Sequence, residues 1–223
     1  VPQFSILEDP ALPLLLGNGR HHVYLTRAGG SRLDAMRLYT WNIAVAGALW
    51  GGFHVLEISL RNALHARLSV LAGREDWWNS ITLHTLERRK IDAAVRSVAR
   101  EKGSRATPGH VVAELTFGFW VALLANRYHQ RLWATTIEAA FPHLQGTRRA
   151  LHAKLERLRM LRNRVAHHEP VFARDLSADH ALILEVLDSI DPTVKRWVRE
   201  YSRVPHLLEC RDDIVAGYWP MTF

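Results

Sequence analysis

A single cysteine, Cys210, is all the thiol chemistry that the 223 residues offer. One thiol can close no internal disulfide and build no thiolate zinc site, which points to a reducing compartment. No Walker loop, glycine-rich dinucleotide fingerprint, His-Glu-x-x-His or Gly-x-Ser-x-Gly motif occurs. These absences argue against P-loop hydrolases, dinucleotide enzymes, zincins and α/β-hydrolases. The paired histidines among the thirteen, His21–His22 and His167–His168, point to different sides of a helix, so neither a metal nor another cofactor is expected. Strand alternation of useful length is missing, as are fixed-period repeats and low-complexity tracts. No basic region followed by an apolar core and a small-residue cleavage site opens the sequence, so the expected location is the cytoplasm.

What is present is ordinary globular composition, 48% hydrophobic and 23% charged. That balance excludes disordered and collagen-like chains, and the length suits one domain, or at most two small ones, with a substantial core. One stretch imitates a membrane span, because Leu38 to Leu56 carries no formal charge. It does carry Asn42, His54 and three glycines, and its periodicity continues into "EISLRNALHARL". A buried helix with no membrane partner is therefore expected.

The first thirty residues mix proline, glycine and short apolar runs, and form a poorly patterned segment. From residue 31 to 223 the chain reads as helix nearly throughout. Ser31 with Asp34 opens a helix to about Ala72. A second runs through "TLHTLERRKIDAAVRSVAREK" and stops at Gly103. Thr107 and Pro108 cap a third, read as continuous through "GHVVAELTFGFWVALLAN". A short helix is expected near His129 to Ala140, then a basic one from Thr147 to His168, which Pro170 forbids from continuing. Ser177 is read as the cap of the next, and Asp191-Pro192 starts another. The class is all-α. Eight tryptophans are assigned to core packing by default, and the sequence cannot select which of them are exposed.

The charge is concentrated. Of the net +7, Thr147 to His168 supplies +6, with Arg148, Arg149, Lys154, Arg157, Arg159, Arg162 and Arg164 against Glu156 alone. A concentrated basic helix suits a polyanion, although a solvated face would look the same. Within it Leu151, Leu155, Leu158, Arg162 and Val165 recur at steps of 4, 3, 4 and 3, the spacing of a core-facing seam. An arginine on such a seam needs a counter-charge. Glu57, Arg61 and His65 share a helical face as a local ion-pair ladder. Arg162 and His167, five apart, lie about 140° around an ideal helix. Either the helix unwinds before Pro170, or two copies of the chain bring their motifs together.

"RNRVAHHEP" resembles the Arg-x4–6-His pattern of the HEPN superfamily of helical ribonuclease and RNA-binding domains. More closely, "GGSRLDAMRLYTWN", "HVLEISLRNALHARL", "LTFGFW" and "RNRVAHHEPVF", in this order, resemble the Abi-like (abortive infection) branch of bacterial phage-defence proteins, over about Ala28 to Ile190. The resemblance implies a HEPN-like helical bundle with extra helices. It also implies a homodimer that places two Arg–His motifs in a shared cleft. By position it assigns the catalytic roles to Arg162, Asn163 and His167. His168, Glu57, Arg61 and Asn62 are implied as supporting neighbours, and the resemblance points to Glu57 as the counter-charge that Arg162 needs.

These residue types can cleave RNA without a metal, because the 2′-hydroxyl is the nucleophile. Histidine can serve as base or acid, and arginine can hold the phosphoryl oxygens. RNA would be bound by Arg148, Arg149, Lys154, Arg157, Arg159 and Arg164. The expected function is thus a metal-independent endoribonuclease of phage-defence or toxin–antitoxin type, with an antitoxin protein or RNA as a further partner. The alternative is a module that binds RNA or a partner without cutting.

Overall fold

The structure, a computed structural model, describes residues 6–15 and 17–219. Among them every regular element is helical: α1 (Ala11–Leu15), α2 (Asn18–Arg27), α3 (Arg32–Ala72), α4 (Thr85–Lys102), α5 (Pro108–Glu114), α6 (Phe117–Ala122), α7 (Arg148–Ala166), α8 (Leu176–Ile190), α9 (Pro192–Tyr201), α10 (Val204–Glu209) and α11 (Arg211–Ala216). The segment before residue 31 is more regular than its composition suggests, since α2 occupies ten residues of it. Residues 1–5 and 16 of that segment lie outside the described residues.

The 41-residue α3 is the longest element, about 60 Å at 1.5 Å per residue. Its N-terminus is capped as the sequence suggested, with Ser31 Oγ accepting from the Asp34 N–H at 3.3 Å. Leu38, Trp41, Val45, Leu49, Phe53, Leu56, Leu60, Leu64 and Leu68 are all buried. Their steps of three and four trace one helical stripe. The helix is long and apolar enough to cross a membrane by composition, and a third of its most apolar window is buried.

Compactness divides the chain into two units, and α3, α7 and α8 each run from one into the other. The first unit comprises Val1–Gly52, Arg164–His180 and Tyr201–Phe223. Its core stacks Tyr24 against Tyr39 at 4.9 Å and Phe172 at 5.0 Å between ring centres. Trp41 donates its indole N–H to the Leu207 carbonyl at 2.7 Å, and Arg211 lies over the same ring at 4.7 Å. An otherwise costly buried indole donor is thereby satisfied.

The second unit comprises Phe53–Asn163 and Ala181–Glu200. It is centred on Trp77, whose ring meets Trp78, Phe119 and Trp120 within 5.5–6.4 Å. Buried Glu87 accepts from Arg127 at 2.9 Å and from the Tyr128 hydroxyl at 2.8 Å. Three expectations are corrected here. The helix read as continuous after Thr107 breaks at Leu115, whose ψ of 128° is extended, and resumes as α6. A straight surface helix buries one stripe, whereas Phe117, Phe119, Trp120 and Val121 are all buried, so the chain turns to enclose them. The short helix read over His129 to Ala140 is a π-turn at His129–Trp133 followed by a 3-10 turn at Ile137–Ala140. The wider turn lets the adjacent Leu132 and Trp133 both be buried. The cap of α8 is Asp175, which accepts from the Ala178 N–H at 2.9 Å, rather than Ser177. Both residue types cap well, so the pattern alone could not choose.

The Trp77 indole donates to Nδ1 of His65 at 3.1 Å, a bond that requires an unprotonated Nδ1. Burial holds the His65 pKa below its usual 6.5, and nearby Arg61 adds to this against an opposing pull from Glu75. Burial also lowers His152 and His180. A lowered histidine pKa means that the unfolded chain binds the extra proton first, so stability is present above pH 6.5 and is lost as pH falls below it. Urea midpoints are therefore expected to drop between pH 7.5 and pH 5.5, and His65→Gln to flatten that slope. An unchanged midpoint across this range would contradict the assignment.

Candidate functional site

The seam of α7 differs from its sequence reading by one residue. Leu151, Leu155, Leu158, Leu161 and Val165 are buried, so Leu161 rather than Arg162 occupies the inward position. Arg162 borders the seam with 28% of its side chain exposed, and its Nε donates to Glu57 Oε1 at 2.7 Å. The counter-charge expected for this arginine is thus present. Glu57 turns to Arg162 instead of along its own helix to Arg61, whose Nε donates to Asn62 Oδ1 at 3.3 Å. The local ladder of Glu57, Arg61 and His65 is therefore replaced by three separate partnerships, since His65 serves Trp77.

Helix α7 ends before Pro170 by a specific device. The His168 N–H donates to the Val165 carbonyl at 3.1 Å, and the Glu169 N–H to the Arg164 carbonyl at 2.8 Å. This pair of bonds is a Schellman closure, which needs a left-handed residue at the position after the cap. His168 fills it with φ of 57°, the one non-glycine residue with positive φ among those described. Glycine is the usual occupant because a Cβ is disfavoured there. A histidine held in that conformation points to a use for its side chain. The closure places His167 at the cap and leaves His167, His168 and Glu169 exposed.

Two side chains secure the chain beyond the cap. Arg164 donates to the Pro170 carbonyl at 2.8 Å and pairs with Glu169 at 3.2 Å. Asn42, 5% exposed, accepts the Val171 N–H at 2.8 Å. Asn42 did not stand out in the sequence as a site residue. The available signal was an amide inside an uncharged apolar run, where a buried polar group demands a partner. Next to the cap is a cavity of about 510 Å³ whose lining includes Tyr39, Asn42, Trp50, His168 and Glu169.

The cations of α7 are less available than their count suggested. Arg148 donates to the Leu124 carbonyl and to Asn126 Oδ1 at 3.0 Å. Lys154 pairs with Glu185, and Arg159 with Glu156 at 2.8 Å. Arg159 also lies against α6, where a Cβ on Gly118 would approach its Cδ to 3.3 Å. Arg149 and Arg157 are exposed, Asn163 is half-buried and Asn62 is exposed. Among the described residues no group of three or more His, Cys, Asp or Glu is placed to hold a metal ion.

One family model, described as Abi-like protein, matches residues 18–173 and so takes in α2, Asn42, the Glu57 segment and the entire α7 cap. The chain belongs to the Abi-like protein family. No curated protein and no solved structure gives a match. The family match in this Abi-like protein starts ten residues before Ala28 and ends at Ala173, leaving all of α8 to α11 beyond it.

Replacing His168 by glycine is expected to raise stability by about 0.5–1 kcal/mol, because the left-handed strain disappears. A thermal melt showing a lower midpoint for His168→Gly would contradict the strain. A double-mutant cycle on Glu57→Ala and Arg162→Ala is expected to give a coupling of about 1 kcal/mol, suited to a pair that retains some solvent contact. Strictly additive losses would remove the interaction.

Proposed function

We propose that this Abi-like protein is a metal-independent endoribonuclease of phage defence, of the HEPN type, with Arg162, Asn163 and His167 as its catalytic residues. The observation that carries the reading is the Schellman closure. It ends α7 within this Arg-x4-His segment and leaves His167 exposed at the cap, while Arg162 stays on the helix against Glu57. A histidine with access to solvent can exchange protons with a substrate, and a buried one cannot.

In this reading the RNA brings its own nucleophile. A histidine takes the proton of the 2′-hydroxyl as its oxygen attacks the adjacent phosphorus. A second proton reaches the departing 5′-oxygen from His167 or from its counterpart in a second copy of the chain. Arg162 faces the phosphoryl oxygens as negative charge accumulates on them, and Glu57 holds its guanidinium in a set orientation. Asn163 orients the phosphate or ribose. The products are a 2′,3′-cyclic phosphate and a 5′-hydroxyl. Arg149 and Arg157, the exposed cations of α7, make the first phosphate contacts. A homodimer supplies the second histidine, and an antitoxin protein or RNA restrains the activity.

His167→Ala is expected to lower cleavage of mixed RNA in EDTA by about 10²–10⁴-fold, the usual contribution of general acid–base catalysis, with RNA affinity nearly unchanged. DNA of the same sequence is expected to resist, since it lacks the nucleophile. Wild type that binds RNA as tightly as His167→Ala while neither cuts would replace the nuclease by a binding module.

A further inference from the structure

The cavity beside the α7 cap takes no part in the chemistry described above. It lies wholly within the unit of Val1–Gly52, Arg164–His180 and Tyr201–Phe223. About 510 Å³ is within the range of small-molecule sites. Its walls combine two kinds of surface. Ile43, Ala46 and Val165 are aliphatic, and two aromatic rings join them. Tyr39 is fixed by its edge-on packing against Tyr24, and Trp50 is 41% exposed. A flat apolar ligand has faces to lay against both.

Arg20, Tyr39, Asn42, His168 and Glu169 supply the polar groups of the lining. The Oδ1 of Asn42 is committed to the Val171 N–H, which leaves the amide –NH2 of this buried side chain as a donor. Glu169 engages Arg164 through Oε2 at 3.2 Å, and its side chain remains 46% exposed, so Oε1 is left as an acceptor with spare capacity on the carboxylate. An acceptor-rich carboxylate and an amide donor select among the bases. Guanine presents a carbonyl oxygen beside two N–H donors on its pairing edge. Adenine and cytosine present one amino donor with a bare ring nitrogen, and uracil one N–H between two carbonyls. Only guanine offers a carboxylate two adjacent donors. Single-stranded RNA is read in this manner, through stacked, unpaired bases and their exposed edges.

We propose that this cavity binds an unpaired guanine of the RNA, stacked on Trp50 and read by Glu169 and Asn42. The proposal rests on the RNA reading above and adds base selection to it. It also gives the strained cap a second purpose, because the left-handed turn at His168 is what delivers Glu169 to the cavity wall.

The test is calorimetric titration of the full chain with GMP, AMP, CMP and UMP at one salt concentration, where phosphate and ribose are common and only the base differs. GMP is expected to bind about tenfold or more tightly than the other three. Trp50→Ala is expected to weaken GMP about tenfold, in keeping with loss of base stacking, and Trp50→Phe to restore most of it. Glu169→Gln is expected to abolish the preference while circular dichroism shows the helices intact. Equal binding of all four nucleotides, no binding of any, or an unaltered preference in both Trp50→Ala and Glu169→Gln would overturn the base site. Cleavage of mixed RNA by wild type, measured in parallel, separates this from the nuclease reading. GMP selectivity without cleavage sinks the nuclease and upholds the base site. Cleavage without GMP selectivity does the reverse.

Discussion

The left-handed turn at His168 is the constraint on which the rest of the candidate site depends. A helix that continued past Ala166 would keep His167 and His168 on its own surface and meet Pro170 with a missing donor. The Schellman bonds instead stop it four residues earlier, satisfy two terminal carbonyls and reverse the chain. Everything downstream follows. Glu169 is carried to Arg164, the Pro170 carbonyl finds the same guanidinium, and the Val171 N–H reaches Asn42 on α3. The site is thus held by backbone geometry and by two polar side chains. A glycine would make the same turn with less strain and would forfeit an imidazole.

The basic helix illustrates how a charge count differs from a charge surface. Arg148, Lys154, Arg159, Arg162 and Arg164 each have a protein partner. Most of these partners are part-exposed, so each pair contributes little stability and orients a side chain more than it anchors the fold. Arg149 and Arg157 are the most exposed cations of α7. In the proposed reading, shape and base contacts therefore carry a larger share of RNA recognition than net charge suggests.

Tryptophan separates in the same manner. Trp41, Trp77, Trp78, Trp120 and Trp133 are core residues, as the default assignment held, while Trp50, Trp197 and Trp219 are exposed. Trp50 stands on the same helix as buried Trp41, nine residues on, and only the direction of the α3 stripe sends one inward and the other to the cavity wall.

The sequence by itself determined the helical class, the limits of α3 to within a residue at its start, the stop of α4 at Gly103, the start of α9 at Pro192 and the need of Arg162 for a counter-charge, while the family resemblance pointed to Glu57 as that partner. These were legible because caps, prolines and periodicity act within a few residues, and because an arginine on an apolar seam needs an opposite charge. Tertiary structure decided the rest. Whether Leu161 or Arg162 faces inward is a rotation of one residue, set by the helices packed around α7. The break after Glu114 and the π-turn at His129 serve side chains that had to be buried from both flanks. The turn at His168 is the sharpest case. Proline at 170 required the helix to end, but no local propensity places histidine in a left-handed conformation. It is held there because Asn42, 129 residues away in sequence, captures the strand of chain that emerges.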